Sequence, residues 1–199
     1  MMNDVGLHTR NNVGIAGLID VETTGLSPYY EEIIELALVA FLFDYQSGEI
    51  LEVTDVYQGL REPGVSIKKG AAQVHGISFQ DVAGKQLDDF KIREIITKTD
   101  FLVAHNASFD RGFVLRLFPE FAHKPWLCSV KHINWYQAGH TSRALQYLLC
   151  QYGIIPEKQH RAADDTLALL KLLSKQDNAG QPYFKQIADR FRKERKRTG

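Results

Sequence analysis

The polar and apolar positions of this chain change rhythm near residue 60. Before that point the apolar residues come in strand-length runs at 13–20, 33–43 and 50–57. The middle run, Ile33–Phe43, is apolar on both alternating faces, with Ile33, Ala37, Val39 and Phe41 on one and Ile34, Leu36, Leu38 and Leu42 on the other. A strand of that kind is covered on both sides by other layers. The run is 11 residues long and contains Glu35, so it is too short to span a bilayer. The segment "DYQSGE", Asp44–Glu49, has turn chemistry and predicts an antiparallel hairpin between the second and third runs.

After residue 60 the period becomes helical. Short helices are expected at Ala71–His75 and Phe79–Val82, and a longer one at Asp88–Lys98, where Phe90, Ile92, Ile95 and Ile96 recur at helical spacing. "DFLVAHN" (Asp100–Asn106) reads as a buried strand running into a loop. Helices are then expected at about Ser108–Leu117, Ser129–Trp135, Ser142–Tyr152, Ala162–Ser174 and from Tyr183 to the end. Three strands, a helical connection, another strand and then mostly helices predict an α/β sheet flanked by helices.

Composition narrows the class of protein. The 199 residues suit a single domain, with a core at about 13–175 and a basic tail at about 183–199. The N-terminal "MMNDVGLHTRNN" has no apolar signal region, and a cytoplasmic setting without membrane attachment is expected. Cys128 and Cys150 form neither a CxxC pair nor a disulfide framework, which fits a reducing compartment and argues against zinc. Formal net charge is zero, yet "RFRKERKR" (Arg190–Arg197) holds six basic residues and one acid. That tail is either a solvated helix end or a contact for nucleic acid.

The chemistry is carried by acids. In "GLIDVETTGL", Asp20 and Glu22 stand two apart on a strand and so project to the same side, with Ala16 and Leu18. Two carboxylates held together repel unless a proton or cation lies between them. In "AHNASFD", Asp110 falls in the first turn of a helix, at the rim of the face carrying Val114 and Leu117; Asn106 and Ser108 are candidate caps, and capping is the role expected of Ser108. In "HRAADDTLALLKLL", Asp165 shares a helical face with Leu169, Leu172 and Leu173 and is expected to point inward. Asp164 shares one with Ala168, Lys171 and Lys175 and is expected to face solvent. His160 cannot share a face with Asp165 in one helix, but from the preceding loop it can reach the same site.

These segments resemble the DnaQ-like, DEDDh group of 3′→5′ exonucleases. "DVETTGL", "AHNASFD" and "HRAADD" match its three motifs in order, the last as H-x4-D. "QVHGIS", "PWLCSVKHINW" and "SRALQYLLCQYGI" match secondary elements, so the resemblance runs from about Gly14 to Leu173. A related branch places Tyr one residue after the His position, where this chain has Arg161, so the His form fits better.

The resemblance implies an RNase H-like fold, a mixed sheet of about five strands flanked by helices. It implies that Asp20, Glu22, Asp110 and Asp165 hold two Mg²⁺ or Mn²⁺ ions and that His160 is the general base. It further implies that Glu22 and the Thr23, Thr24, Gly25 and Leu26 turn hold the terminal nucleotide, with Leu26 against the last base. His75, Asn106 and Phe109 are further candidates for substrate contact, a core position being as good a reading for Phe109. The expected substrate is nucleic acid with a free 3′ end, single-stranded DNA first, and a DNA polymerase or other replication or repair protein is a candidate partner. The alternatives are an oligoribonuclease-like or other RNA 3′-end enzyme, and a non-catalytic member that binds nucleic acid or docks on a polymerase.

Overall fold

The computed structural model describes residues 12–198. The readings made on the first eleven residues lie outside it. Five strands and eight helices follow in the order β1 (Val13–Thr23), β2 (Ile33–Asp44), β3 (Ile50–Leu60), α1 (Lys69–His75), α2 (Phe79–Val82), α3 (Asp89–Lys98), β4 (Phe101–Ala104), α4 (Ala107–Leu117), β5 (Trp126–Cys128), α5 (Ser129–His132), α6 (Leu145–Gln151), α7 (Ala162–Leu173) and α8 (Phe184–Thr198). The strands form one mixed sheet in the order β3-β2-β1-β4-β5. β1, β2 and β3 pair antiparallel, while β4 lies parallel to β1 and β5 parallel to β4.

The two-sided apolar pattern of β2 is explained by a layer on each face. Val39, Phe41 and Phe43 face a core closed by α6, α7 and α8, together with Ala16 and Leu18 of β1. Leu36, Leu38 and Ala40 face a second core closed by α3 and α4, together with Ile19 and Val21. The alternation along β1 therefore directs Asp20 and Glu22, which continue the Ala16–Leu18 side, toward α7.

Where the structure departs from the sequence reading, tertiary packing is the cause. β5 is only three residues and is preceded by a 3₁₀ turn, Pro119–His123; neither was expected from local pattern. The helix expected at Ser129–Trp135 stops at His132, because Ile133 turns extended and Trp135 drops into the core. The Trp135 indole N–H donates to Ser129 O at 2.8 Å and its ring lies 4.6 Å from that of Tyr183. Similarly, α6 starts at Leu145 and not near Ser142. Ser108 lies inside α4 and does not cap it; the N-cap is Asn106, in a left-handed conformation (φ 79°). Ala168, expected on the exposed face of α7, is buried, because that helix is covered around most of its girth. In the basic tail Phe191 is buried, its ring 4.5 Å from Phe101, so α8 is part of the core as well as a carrier of charge.

Candidate active site

β1 and β4 run parallel, so their C-terminal ends open on the same edge of the sheet. Asp20 and Glu22 stand at that end of β1. α4 starts three residues after β4 ends, which brings Asp110 to the same edge from the other face. Asp110 is fully buried, not at a rim, and its carboxylate accepts the backbone N–H of Val21. α7 packs across β1 and β2 and presents Asp165, 7% exposed, from its first turn. Asp164 beside it is half-exposed.

Electrostatics report the convergence. Loss of water around Asp20 raises its pKa well above the usual carboxylate range, and Asp110, Glu22, Asp165 and Glu35 each raise it further. Glu22 is pushed up to about 8 by burial, then by Glu35, Asp165 and Asp110. Asp110 is pushed up to about 7 by burial, even though it accepts two backbone N–H groups. Asp165 is raised by burial and held back by Gln146, whose Nε2 donates to its Oδ1 at 3.0 Å, and by the backbone N–H of His160. Acids that are buried, hydrogen-bonded and still pushed upward repel one another, and a positive charge among them would relieve that repulsion.

That donor set is hard oxygen, which suits Mg²⁺ or Mn²⁺. Among the described residues no three His, Cys, Asp or Glu side chains are already closed into a metal cage. Asp110, Glu22 and Asp165 all act on Asp20 by repulsion that a cation would relieve, so the residues fit a divalent ion by chemistry and charge.

His160 lies on the loop before α7, half-buried and with φ 57°. Arg161, the N-cap of α7, follows it. The turn after β1 is fastened from several sides. Thr24 donates its N–H to Glu32 O (2.8 Å) and its hydroxyl to Glu31 Oε2 (2.8 Å), and the Thr23 hydroxyl donates to Gly25 O (2.6 Å). A Cβ on Gly25 would lie 2.9 Å from Glu31 Cδ and 3.0 Å from Lys68 Cδ, side chains that themselves form an ion pair. Thr23, Thr24 and Gly25 are thus the turn's frame, and Leu26, 85% exposed, is its free apolar tip.

The other candidates separate. His75 is buried; its Nδ1 accepts the Ile77 N–H at 3.0 Å, which puts the proton on Nε2, donating to Thr23 O at 3.3 Å. One ring nitrogen thus holds the turn after β1 and the other the chain just past α1. Asn106 is exposed beside Asp110, and Phe109 is half-buried with its ring 5.0 Å from Phe113. Sequence reasoning missed Gln146, Glu35 and Arg161. Glu35 carried a signal: a lone acid inside a two-sided apolar strand needs a buried partner.

The family model described as Exonuclease, of the RNase T type, matches residues 18–173, a span that contains all four acids and His160. The PolC-type DNA polymerase III of Listeria innocua is 32% identical over 157 residues, covering 76% of this chain and 10% of that protein. The PolC-type polymerase of Bacillus subtilis is 32% identical over 184 residues, covering 85% and 12%. The chain thus spans about a tenth of the length of these relatives. Among solved structures, Escherichia coli exonuclease I in complex with a dT13 oligonucleotide superposes with a TM-score of 0.64 at 17% identity, over 83% of this chain and 42% of that one. The nuclease domain of 3′hExo, described as a DEDDh family member bound to rAMP, gives 0.60 at 21% identity, over 80% and 89%. At those identities the likeness is one of fold, the RNase H-like exonuclease fold.

Proposed function

The chain belongs to the exonuclease family, and on that premise we propose that it hydrolyses phosphodiester bonds from a free 3′ end, single-stranded DNA first, releasing nucleoside 5′-monophosphates. The observation that carries this reading is the meeting of four carboxylates from β1, α4 and α7 at one sheet edge, with His160 on the adjoining loop. The preference for DNA is supported by the polymerase relatives and by the dT13 bound to the exonuclease I neighbour. A replicative polymerase is, on the same ground, the partner we propose.

Asp20, Glu22, Asp110 and Asp165 would hold two divalent cations, Mg²⁺ or Mn²⁺. When bound, such ions supply Lewis-acid charge for activating water and stabilising a leaving 3′-oxygen. The remaining work falls to the chain itself. His160, on the loop that leads into the helix carrying Asp165, accepts the proton from the attacking water, the general-base role that histidine fills most often. Glu22 and the backbone of the Thr23–Leu26 turn place the terminal nucleotide, and the exposed Leu26 packs on its base. Asn106 and Phe109, beside Asp110, border the same nucleotide.

The test uses matched DNA and RNA oligomers, 5′-labelled, with 3′-hydroxyl or 3′-blocked ends, together with a circular single strand. A descending ladder from 3′-hydroxyl DNA that depends on Mg²⁺ or Mn²⁺ is expected, with no cutting of the circle. Faster turnover of short RNA would reassign the substrate, and internal fragments would overturn the exonuclease reading. Binding without release of mononucleotide would make the chain a non-catalytic member.

A further inference from the structure

Among the described residues, the ion pair between the buried Glu35 and the half-buried Arg161 is not used by the chemistry above. Glu35 lies on β2, directly opposite Glu22 in the antiparallel register, and is wholly buried. Its carboxylate is gripped from four directions. Arg161 Nε donates to Oε2 at 3.0 Å and Arg161 Nη2 to Oε1 at 2.8 Å, a bidentate fork. The Ala162 N–H donates to Oε2 at 3.1 Å and Gln58 Nε2 to Oε1 at 2.8 Å. Burial alone would raise the pKa of Glu35, but these donors hold it below the usual carboxylate range.

The pair joins segments 126 residues apart. Arg161 is the residue after His160 and the N-cap of α7, and Ala162 is the first residue of that helix. Glu35 therefore clamps both the start of the helix that carries Asp165 and the end of the loop that carries His160. His160 itself is in the left-handed region, which a non-glycine residue holds only when its surroundings impose it. Asp165 adds a second tie by accepting the His160 N–H. A solvated ion pair would tolerate drift at this point. A planar fork onto a wholly buried carboxylate fixes both distance and orientation.

We propose that Glu35 and Arg161 are positioning residues: the buried fork between them sets the His160 imidazole at the edge of the carboxylate cluster. Neither touches substrate; they act through the loop. This rests on the assignment of His160 as base, and the experiment separates the two ideas.

The experiment is a double-mutant cycle in the full chain, read as kcat, KM and half-saturating Mg²⁺ on a 3′-hydroxyl oligomer. Arg161→Lys keeps the charge but loses the planar fork. It should lower kcat by about ten- to a hundred-fold, the order expected of a misplaced catalytic group. KM and the Mg²⁺ requirement should move less than about twofold, which a general loosening of the site would not produce. His160→Ala alone should cost about 10²–10⁴ in rate. The Arg161→Lys, His160→Ala double variant should then be no slower than His160→Ala, because a latch has no effect without the group it holds. Glu35→Asp keeps the charge opposite Glu22 but shortens the reach to Arg161, and should give the same pattern; it carries the cycle if Arg161→Lys melts below the assay temperature. Losses that multiply in the double variant would overturn the latch while leaving His160 as base. A His160→Ala variant with full rate would overturn both.

Discussion

Replacing Asp165 by Asn keeps the size of the side chain and removes one charge, so it separates what the cluster does for catalysis from what it costs the fold. Asp165 is one of the groups that raise Asp20 and Glu22. Above about pH 8, where Glu22 has lost its proton, two like charges roughly 5 Å apart would interact by about 3 kcal/mol at an effective dielectric of about 20, and that is the pH at which the comparison is made. Against that relief stands the weakening of the Gln146 bond and of the His160 N–H bond, about 1 kcal/mol each. Without metal, Asp165→Asn should therefore be more stable than the parent by about 1 kcal/mol, raising Tm by about 2–4 °C for a chain of this size. With Mg²⁺ the order should reverse, because the parent gains binding energy that the variant has lost. Activity should be almost abolished. Asp164→Asn, a change on the half-exposed side of α7, should stay within about 0.5 kcal/mol and keep its activity. The assay is calorimetric melting of both variants in EDTA and in Mg²⁺, beside release of mononucleotide. A dead Asp164→Asn, or an Asp165→Asn that is destabilised in EDTA and still active, would refute the assignment of the acids.

Further outcomes are expected. Glu22 rises from about 4.5 in the unfolded chain to about 8 in the folded one; the folded state holds the proton more tightly, so stability present below about pH 4.5 is lost as pH climbs through 8. The metal-free Tm should fall over that window while saturating Mg²⁺ flattens the slope, and a metal-free Tm that rises would contradict the raised pKa. Gly25→Ala must displace the Glu31–Lys68 pair, and raised KM with a smaller change in kcat is expected; steady-state kinetics decide. Truncation after Asp189 removes the buried Phe191 and should cost about 3 kcal/mol or more by denaturant melting. Truncation after Arg192 keeps Phe191 and should flatten the salt dependence of oligomer affinity without that loss. An unchanged salt slope would leave the tail as a solvated helix end.

Much of the fold was legible because its signals are local. The two-sided apolar run of β2, the turn at Asp44–Glu49 and the helical spacing of α3 and α7 each fix an element within its own residues. Asp20 and Glu22 were legible for the same reason, since a period of two puts them on one side of β1 without reference to any other element. Asp165 was selected over Asp164 by its own helix face, and it is the more buried of the two. The resemblance of the three motifs then supplied what local pattern lacks, namely the expectation that the acids act together.

The rest was decided in three dimensions. Three residues of β5 have too little pattern to declare a strand; the ladder with β4 makes them one. The early end of α5 follows from burial of Trp135, whose cavity is built by Tyr183 from a distant segment. His75 reads in sequence as a candidate for substrate contact, yet one of its nitrogens is taken by Thr23 O, 52 residues away, which only the folded structure brings to it. Glu35 announced that a partner was needed, but not which one, because the energy of a buried charge depends on what surrounds it and not on its neighbours in the chain. The sequence by itself settled which residues carry charge and which face of each element they occupy. Only the tertiary structure settled in which direction their pKa values move and which cation answers Glu35, because desolvation and charge–charge energy depend on every group nearby in space.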